Sequence, residues 1–148
     1  SVLLLSFFFV IPTSNAASSY DGVSPTATSC ANDATTIRSA NLWDPNQNTT
    51  YPGGVIEIRY SFACHTAWAR LTINSNWDNT DSHNTNKATI HRNSDGREYT
   101  CSVPIGGTSC YTKMVYDYGV TSYAKAYYNY YYALPGHWWN FSGKTSSY

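Results

Sequence analysis

The most regular alternation of apolar and polar residues in the chain runs from Val55 to Phe62. Ile56, Ile58, Tyr60 and Phe62 fall on one parity, and Val55, Glu57, Arg59 and Ser61 on the other. Successive side chains of a strand point to opposite faces, so the stretch predicts a β-strand with Ile56, Ile58, Tyr60 and Phe62 turned inward. β-Branched and aromatic residues suit such a half-buried surface. Glu57 and Arg59 are neighbours on the outer face and predict a solvated ion pair worth about 0–1 kcal/mol. A charged pair lining a binding groove is the sharper alternative. After Cys64-His65-Thr66 the alternation resumes, with Ala67, Ala69, Leu71 and Ile73 on one face and Trp68, Arg70 and Thr72 on the other. This predicts a second strand. The small residues flanking Trp68 predict close packing of the indole over a sheet edge or a disulfide, which makes Trp68 a core residue before a ligand platform.

The remaining elements read less sharply. A looser strand is expected from Thr35 to Trp43, ended by Asp44-Pro45-Asn46. Asn74 to Lys87 holds one apolar residue, Trp77, and reads as a surface loop or irregular edge, with Trp77 either a contact point for a partner or a sugar or a cap on the core edge. Its Asp78, Asp81, Asn76, Asn79 and Asn84 are oxygen donors of the calcium-binding kind, but their spacing matches no glycine-turned calcium loop. Asn93-Ser94-Asp95-Gly96 between two extended runs predicts a hairpin, with His91 on its polar side. Tyr116-Asp117-Tyr118-Gly119 breaks the following segment into two short strands. The composition then changes. Tyr127 to Tyr132 is five tyrosines and one asparagine, and Trp138, Trp139 and Phe141 follow. Tyr123, Ala126, Tyr127 and Tyr130 have helical spacing, but the density of tyrosine favours a strand with one face buried and one wet. The fold class expected is all-β, a compact disulfide-bonded sandwich or small barrel of about six to eight mostly antiparallel strands.

Residues 2–11 are apolar except for one serine, too short for a membrane span of about 20 residues, and are followed by Pro12 and the small residues Ser14 and Ala16. This predicts a signal peptide over 1–16 with a truncated n-region, cut after Ala16, and a single secreted β domain over 17–148 with its Tyr/Trp-rich stretch at 123–141. No other stretch is apolar enough to span a membrane. Nine basic and nine acidic residues cancel, which leaves no electrostatic footprint for nucleic acid. Four cysteines in an exported chain predict two disulfides. Three pairings are open; a turn at Pro104-Ile105-Gly106-Gly107 favours Cys101–Cys110, which leaves Cys30–Cys64. A metal site would want paired thiols or thiols clustered with histidine, and only His65 beside Cys64 approaches that, so neither metal nor cofactor is expected.

Several of these stretches together resemble the YjfA-like secreted proteins of Gram-positive bacteria, a family catalogued as a domain of unknown function. They are DGVSP, SCANDATTI, IEIRYSFACHTAWAR, HRNSDGREYTCS and SCYTKMVYDYGVTSYA, spanning about residues 20–126. The resemblance implies export, a small disulfide-bonded domain and no assigned activity. Attachment of the same domain to membrane-bound or regulatory proteins in some relatives implies a sensing or wall-contact module. The tail from Tyr127 to Tyr148 departs from the shared pattern.

No nucleophile elbow or metalloprotease motif is present, and a catalytic pair such as Glu57 with Asp117 rests on nothing but the presence of carboxylates. The expectation is a non-catalytic extracellular binding module that contacts cell-wall glycan, another polysaccharide or a surface protein. Trp77, Tyr130, Trp138 and Trp139 are its candidate stacking residues. The alternatives are a self-assembling structural protein that pairs through edge strands, and a secreted hydrolase or toxin-like factor.

Overall fold

A computed structural model describes residues 19–148; the expected signal peptide lies outside the described residues. The described residues form nine strands: β1 (Thr35–Leu42), β2 (Gly54–Ser61), β3 (Thr66–Ile73), β4 (Thr85–Arg92), β5 (Glu98–Cys101), β6 (Ser109–Tyr111), β7 (Val115–Tyr116), β8 (Ser122–Tyr132) and β9 (His137–Lys144). Two short 3-10 turns, Pro25–Ala27 and Ser29–Ala31, precede them. One sheet runs β1-β2-β3-β6, with β7 also paired to β3; the other runs β5-β4-β8-β9. Every strand pairing is antiparallel, so the all-β sandwich expectation stands. The strand number is nine rather than six to eight, because β6 and β7 are fragments of three and two residues. The break at Tyr116–Gly119 is present, but an eleven-residue strand follows it, not a short one.

The inner faces of the two sheets make one core. Leu42, Ile56, Ile58, Tyr60, Ala67, Ala69, Leu71 and Ile73 come from the first sheet. Ala88, Ile90, Ala124, Ala126, Tyr128 and Phe141 come from the second. The alanines of β3, β4 and β8 leave room for the large rings, as interdigitating layers require. Gly53 is part of the same fit: a Cβ there would collide with the Phe141 ring. Phe62, expected inside, is 54% exposed. The strand stops at Ser61, and the turn to Thr66, with His65 at φ 51°, carries Phe62 off the buried face, its ring edge-on to Tyr60.

The outer face of the first sheet is covered where Trp68 projects. Cys30, Cys64, Trp68 and Met114 form a second buried cluster, joined by Tyr20, Val23 and Ala34 from the N-terminal segment. The disulfides are Cys30–Cys64 and Cys101–Cys110. The first holds that segment against the indole, as expected. In the chain-entropy picture a bridge of this span contributes about 3–4 kcal/mol. The expected Glu57–Arg59 pair is not formed. Glu57 accepts from Arg70 Nε at 2.7 Å and from Thr36 Oγ1 at 2.9 Å, while Arg59 donates to Thr36 and to the Ala34 carbonyl. The β2–β3 register sets Glu57 directly opposite Arg70. Cross-strand neighbours are closer than residues two apart on one strand, so the register decides the partner.

Candidate functional site

The tyrosine-rich stretch is a strand, and its parity decides everything about it. The β8–β9 register pairs Tyr128 with Phe141, Asn129 with Asn140, Tyr130 with Trp139, and Tyr131 with Trp138. Even positions of β8 and odd positions of β9 point into the sandwich; the others point out. The four candidate stacking residues are therefore divided. Trp77, Tyr130 and Trp139 come together on the inner side, and Trp138 stands on the outer side.

The inner group closes one end of the core. The Trp77 ring centroid lies 5.4 Å from Tyr130, 5.7 Å from Trp139 and 4.8 Å from Phe141. Trp77 Nε1 donates to the Pro52 carbonyl at 2.9 Å, which satisfies the indole's one polar atom. Tyr128 is fully buried beneath them; its hydroxyl donates to the Asp78 carbonyl at 3.2 Å, and burial pushes its pKa well above the ordinary tyrosine range. Burial also raises the pKa of Tyr130. Of the two expectations for Trp77, a contact point in a polar loop or a cap on the core edge, the half-buried ring packed against the core agrees with the second. The polar side chains of the loop that carries it are already engaged within the protein. Asp78 accepts from Thr80, Asp81 from His83, and the Asn79 and Asn84 amides donate to backbone carbonyls. Among the described residues no group of three or more His, Cys, Asp or Glu side chains is placed to hold a metal.

The outer group is a surface. Trp138 is 42% exposed and packs against Tyr131 at 4.9 Å, and Tyr131 in turn meets His83 at 5.1 Å. Along β8 the outward series continues through Asn129, Tyr127, Lys125 and Tyr123. Tyr123 stacks on His91 at 4.6 Å and carries the Lys144 ammonium 3.9 Å above its ring. A shallow depression of about 570 Å³ lies between Lys87, Glu98, Lys125, Tyr127 and Lys144. Glu98 accepts from His91 at 2.8 Å and from Lys125 at 3.3 Å, and the His91 bond leads the contacts that hold its pKa below the usual range. A flat face with exposed rings, amides, hydroxyls and ammonium groups can stack on sugars and hydrogen-bond to their hydroxyls. Tyr127, Tyr131 and the three lysines were not singled out by sequence reasoning. The outward parity of positions 123 to 131 is the signal that marks Tyr127, Tyr131 and Lys125.

Glu57 and Asp117 are not brought to one site. Glu57 points out of the first sheet toward Arg70, whereas Asp117 is buried, its Oδ1 accepting from Ser122 of β8 at 2.7 Å.

A family described as a protein of unknown function, DUF2690, matches residues 18–125. The uncharacterized protein YjfA of Bacillus subtilis (strain 168) is 36% identical over 137 residues, covering 84% of this chain and 83% of its own. No solved structure matches. The family match ends inside β8, short of the paired aromatic residues of β8 and β9. With both matches covering most of its length, the chain belongs to this YjfA-like family of unknown function.

Proposed function

We propose that this protein is a non-catalytic extracellular binding module that contacts cell wall or a related polysaccharide through the outer face of the β5-β4-β8-β9 sheet. The observation that carries the reading is the division of aromatic residues between the two faces of β8 and β9. The core accounts for Tyr128, Tyr130, Trp139 and Phe141, with Trp77. It does not account for Tyr123, Tyr127, Tyr131 and Trp138, which share the outward face, with Tyr131 and Trp138 in contact. Exposed apolar surface gathered in one place marks a contact site, while singly scattered rings do not. Two disulfides support an oxidising, extracellular setting. Self-assembly through the β9 edge has less room, because Trp43 already exchanges two 3.0 Å backbone hydrogen bonds with Ser142 there.

Sedimentation with purified Gram-positive cell wall tests the reading. Trp138→Ala should weaken retention about tenfold, the loss of about 1.4 kcal/mol of stacking, and leave the melting temperature nearly unchanged. Trp139→Ala should lower the melting temperature and, below it, retain wall as the wild type does. Equal retention of wild type and Trp138→Ala would remove this face from the contact, and no retention of wild type would remove the function.

A further inference from the structure

The chain as a whole carries no net charge, with nine basic and nine acidic residues. Its lysines are nevertheless gathered. Of the four, Lys87, Lys125 and Lys144 lie on the outer face of the second sheet, and Lys113 lies elsewhere. The arginines are committed to structure. Arg70 is paired with Glu57, Arg92 with Asp21 and Asp95, and Arg97 with Asp21 and Asp95. Arg59 is bound to Thr36 and the Ala34 carbonyl, and Arg38 lies over Tyr148.

The register sharpens the point. Lys125 and Lys144 are direct cross-strand partners, and Lys87 pairs with Tyr127, the next outward residue of β8. Like charges directly opposite each other destabilise a sheet, so folding gains nothing from this arrangement. Glu98 is the one carboxylate among these residues, and it is shared between His91 and Lys125. Lys125 and Glu98 are 45% and 40% exposed, so their contact is of the weak, readily exchanged kind. Lys144 has only the Tyr123 ring, and Lys87 has no ion-pair partner among the described residues. From Tyr123 to Tyr131 the outward row extends about 27 Å along the strand, with rings at Tyr127, Tyr131 and Trp138 alternating with Asn129, Asn140 and the lysines.

We propose that the occupant of this face is an anionic polysaccharide: an extended sugar chain that lays its rings against Tyr127, Tyr131 and Trp138 and its repeated negative charges against Lys87, Lys125 and Lys144. The proposal rests on the reading of this face as the contact surface and adds the charge of what it takes. Charge complementarity selects an anionic chain over a neutral one, and the flat rings select sugars over a polyanion without them.

Calorimetric titration with three soluble polymers decides it: polygalacturonate, neutral galactan, and polyphosphate, which carries charge without rings. The wild type should bind polygalacturonate at least tenfold more tightly than either of the others, and the affinity should fall as salt rises from about 50 to 200 mM. Joint replacement Lys87→Gln, Lys125→Gln and Lys144→Gln should cost tenfold or more without lowering the melting temperature. Lys113→Gln should change nothing. Equal affinity for polygalacturonate and galactan, both lost with Trp138→Ala, would overturn the anionic inference and leave the glycan-contact reading intact. Polyphosphate bound as tightly as polygalacturonate, with Trp138→Ala without effect, would overturn the sugar component. An unchanged affinity in the triple variant would overturn the role of the lysines, and no binding of either glycan would overturn the inference and the contact reading together.

Discussion

Replacing Arg92 by alanine should lower the unfolding free energy by about 3–5 kcal/mol, the cost of stranding a buried charge. Arg92 ends β4 with its side chain only 10% exposed, and Asp21, which it grips, is 3% exposed. Its Nη1 donates to Asp21 Oδ1 at 2.9 Å and to the Tyr116 carbonyl at 2.8 Å. Its Nε and Nη2 donate to the two oxygens of Asp95 at 2.9 and 2.6 Å. One guanidinium thus ties the N-terminal segment, the β4–β5 turn and β7 together. The Asp95 bond heads the contacts that raise its pKa above the ordinary arginine range. Remove it, and Asp21 keeps the Tyr116 amide at 2.7 Å and Arg97 at 3.4 Å but loses its close charged partner. Domains of this kind have about 5–15 kcal/mol to lose, so the variant should sit near the threshold of folding. Urea denaturation measures it. Arg92→Lys should recover less than half of the loss, because a point charge cannot satisfy three acceptors arranged for a planar fork. A loss below about 1 kcal/mol for Arg92→Ala would show that the cluster is solvated and incidental.

Asp117→Asn should stabilise the protein more at pH 7.5 than at pH 4.5, by about 2 kcal/mol. Asp117 is 4% exposed, and its Oδ2 is buried with no hydrogen-bond partner. Burial pushes its pKa up to about 6, against the opposing pull of Ser122 and Arg92. Unfolded, the carboxyl titrates near its ordinary value of 3.8. Below that value both states are protonated and the group costs nothing. Between about 4 and 6 the unfolded chain releases the proton first, so stability falls as pH rises, and above 6 the full penalty of a buried carboxylate is present. The amide removes that penalty and can still accept from Ser122. Glu57, Asp95 and Glu98, all held below their usual range by hydrogen-bonded partners, act in the opposite direction at lower pH. They are common to both proteins and cancel in the comparison. Thermal denaturation at the two pH values gives the answer; an identical offset at both would mean that Asp117 is ionised normally in the fold.

What the sequence revealed and what it hid follow from the range of the forces involved. β2 and β3 were legible because alternation is local and the residues flanking Trp68 are small. The Cys101–Cys110 bridge was legible because a glycine turn separates its ends by eight residues. Phe62 lies outside the core although its parity points inward, because parity alone does not reveal where a strand stops. Glu57 pairs with Arg70 rather than Arg59 because register belongs to the hairpin, not to the strand. The Arg92–Asp21 contact joins residues 71 apart and leaves no local mark. The candidate site shows the same division. Aromatic enrichment points to β8 and β9, yet it does not separate Trp138 from Trp139, although adjacent residues of a strand face opposite ways. The gathered lysines come from three strands and become visible only once β4, β8 and β9 lie side by side.

The claim that the outward face of β8 and β9 makes the contact is tested most directly by the indole N–H resonances of the five tryptophans, Trp43, Trp68, Trp77, Trp138 and Trp139. On titration with soluble polygalacturonate, the Trp138 signal should shift and saturate. Trp68, sealed under the Cys30–Cys64 bridge, and Trp77, bonded to the Pro52 carbonyl, should stay in place with Trp139. A titration that moved Trp77 and Trp139 while leaving Trp138 unchanged would put the contact at the end of the core and contradict the account.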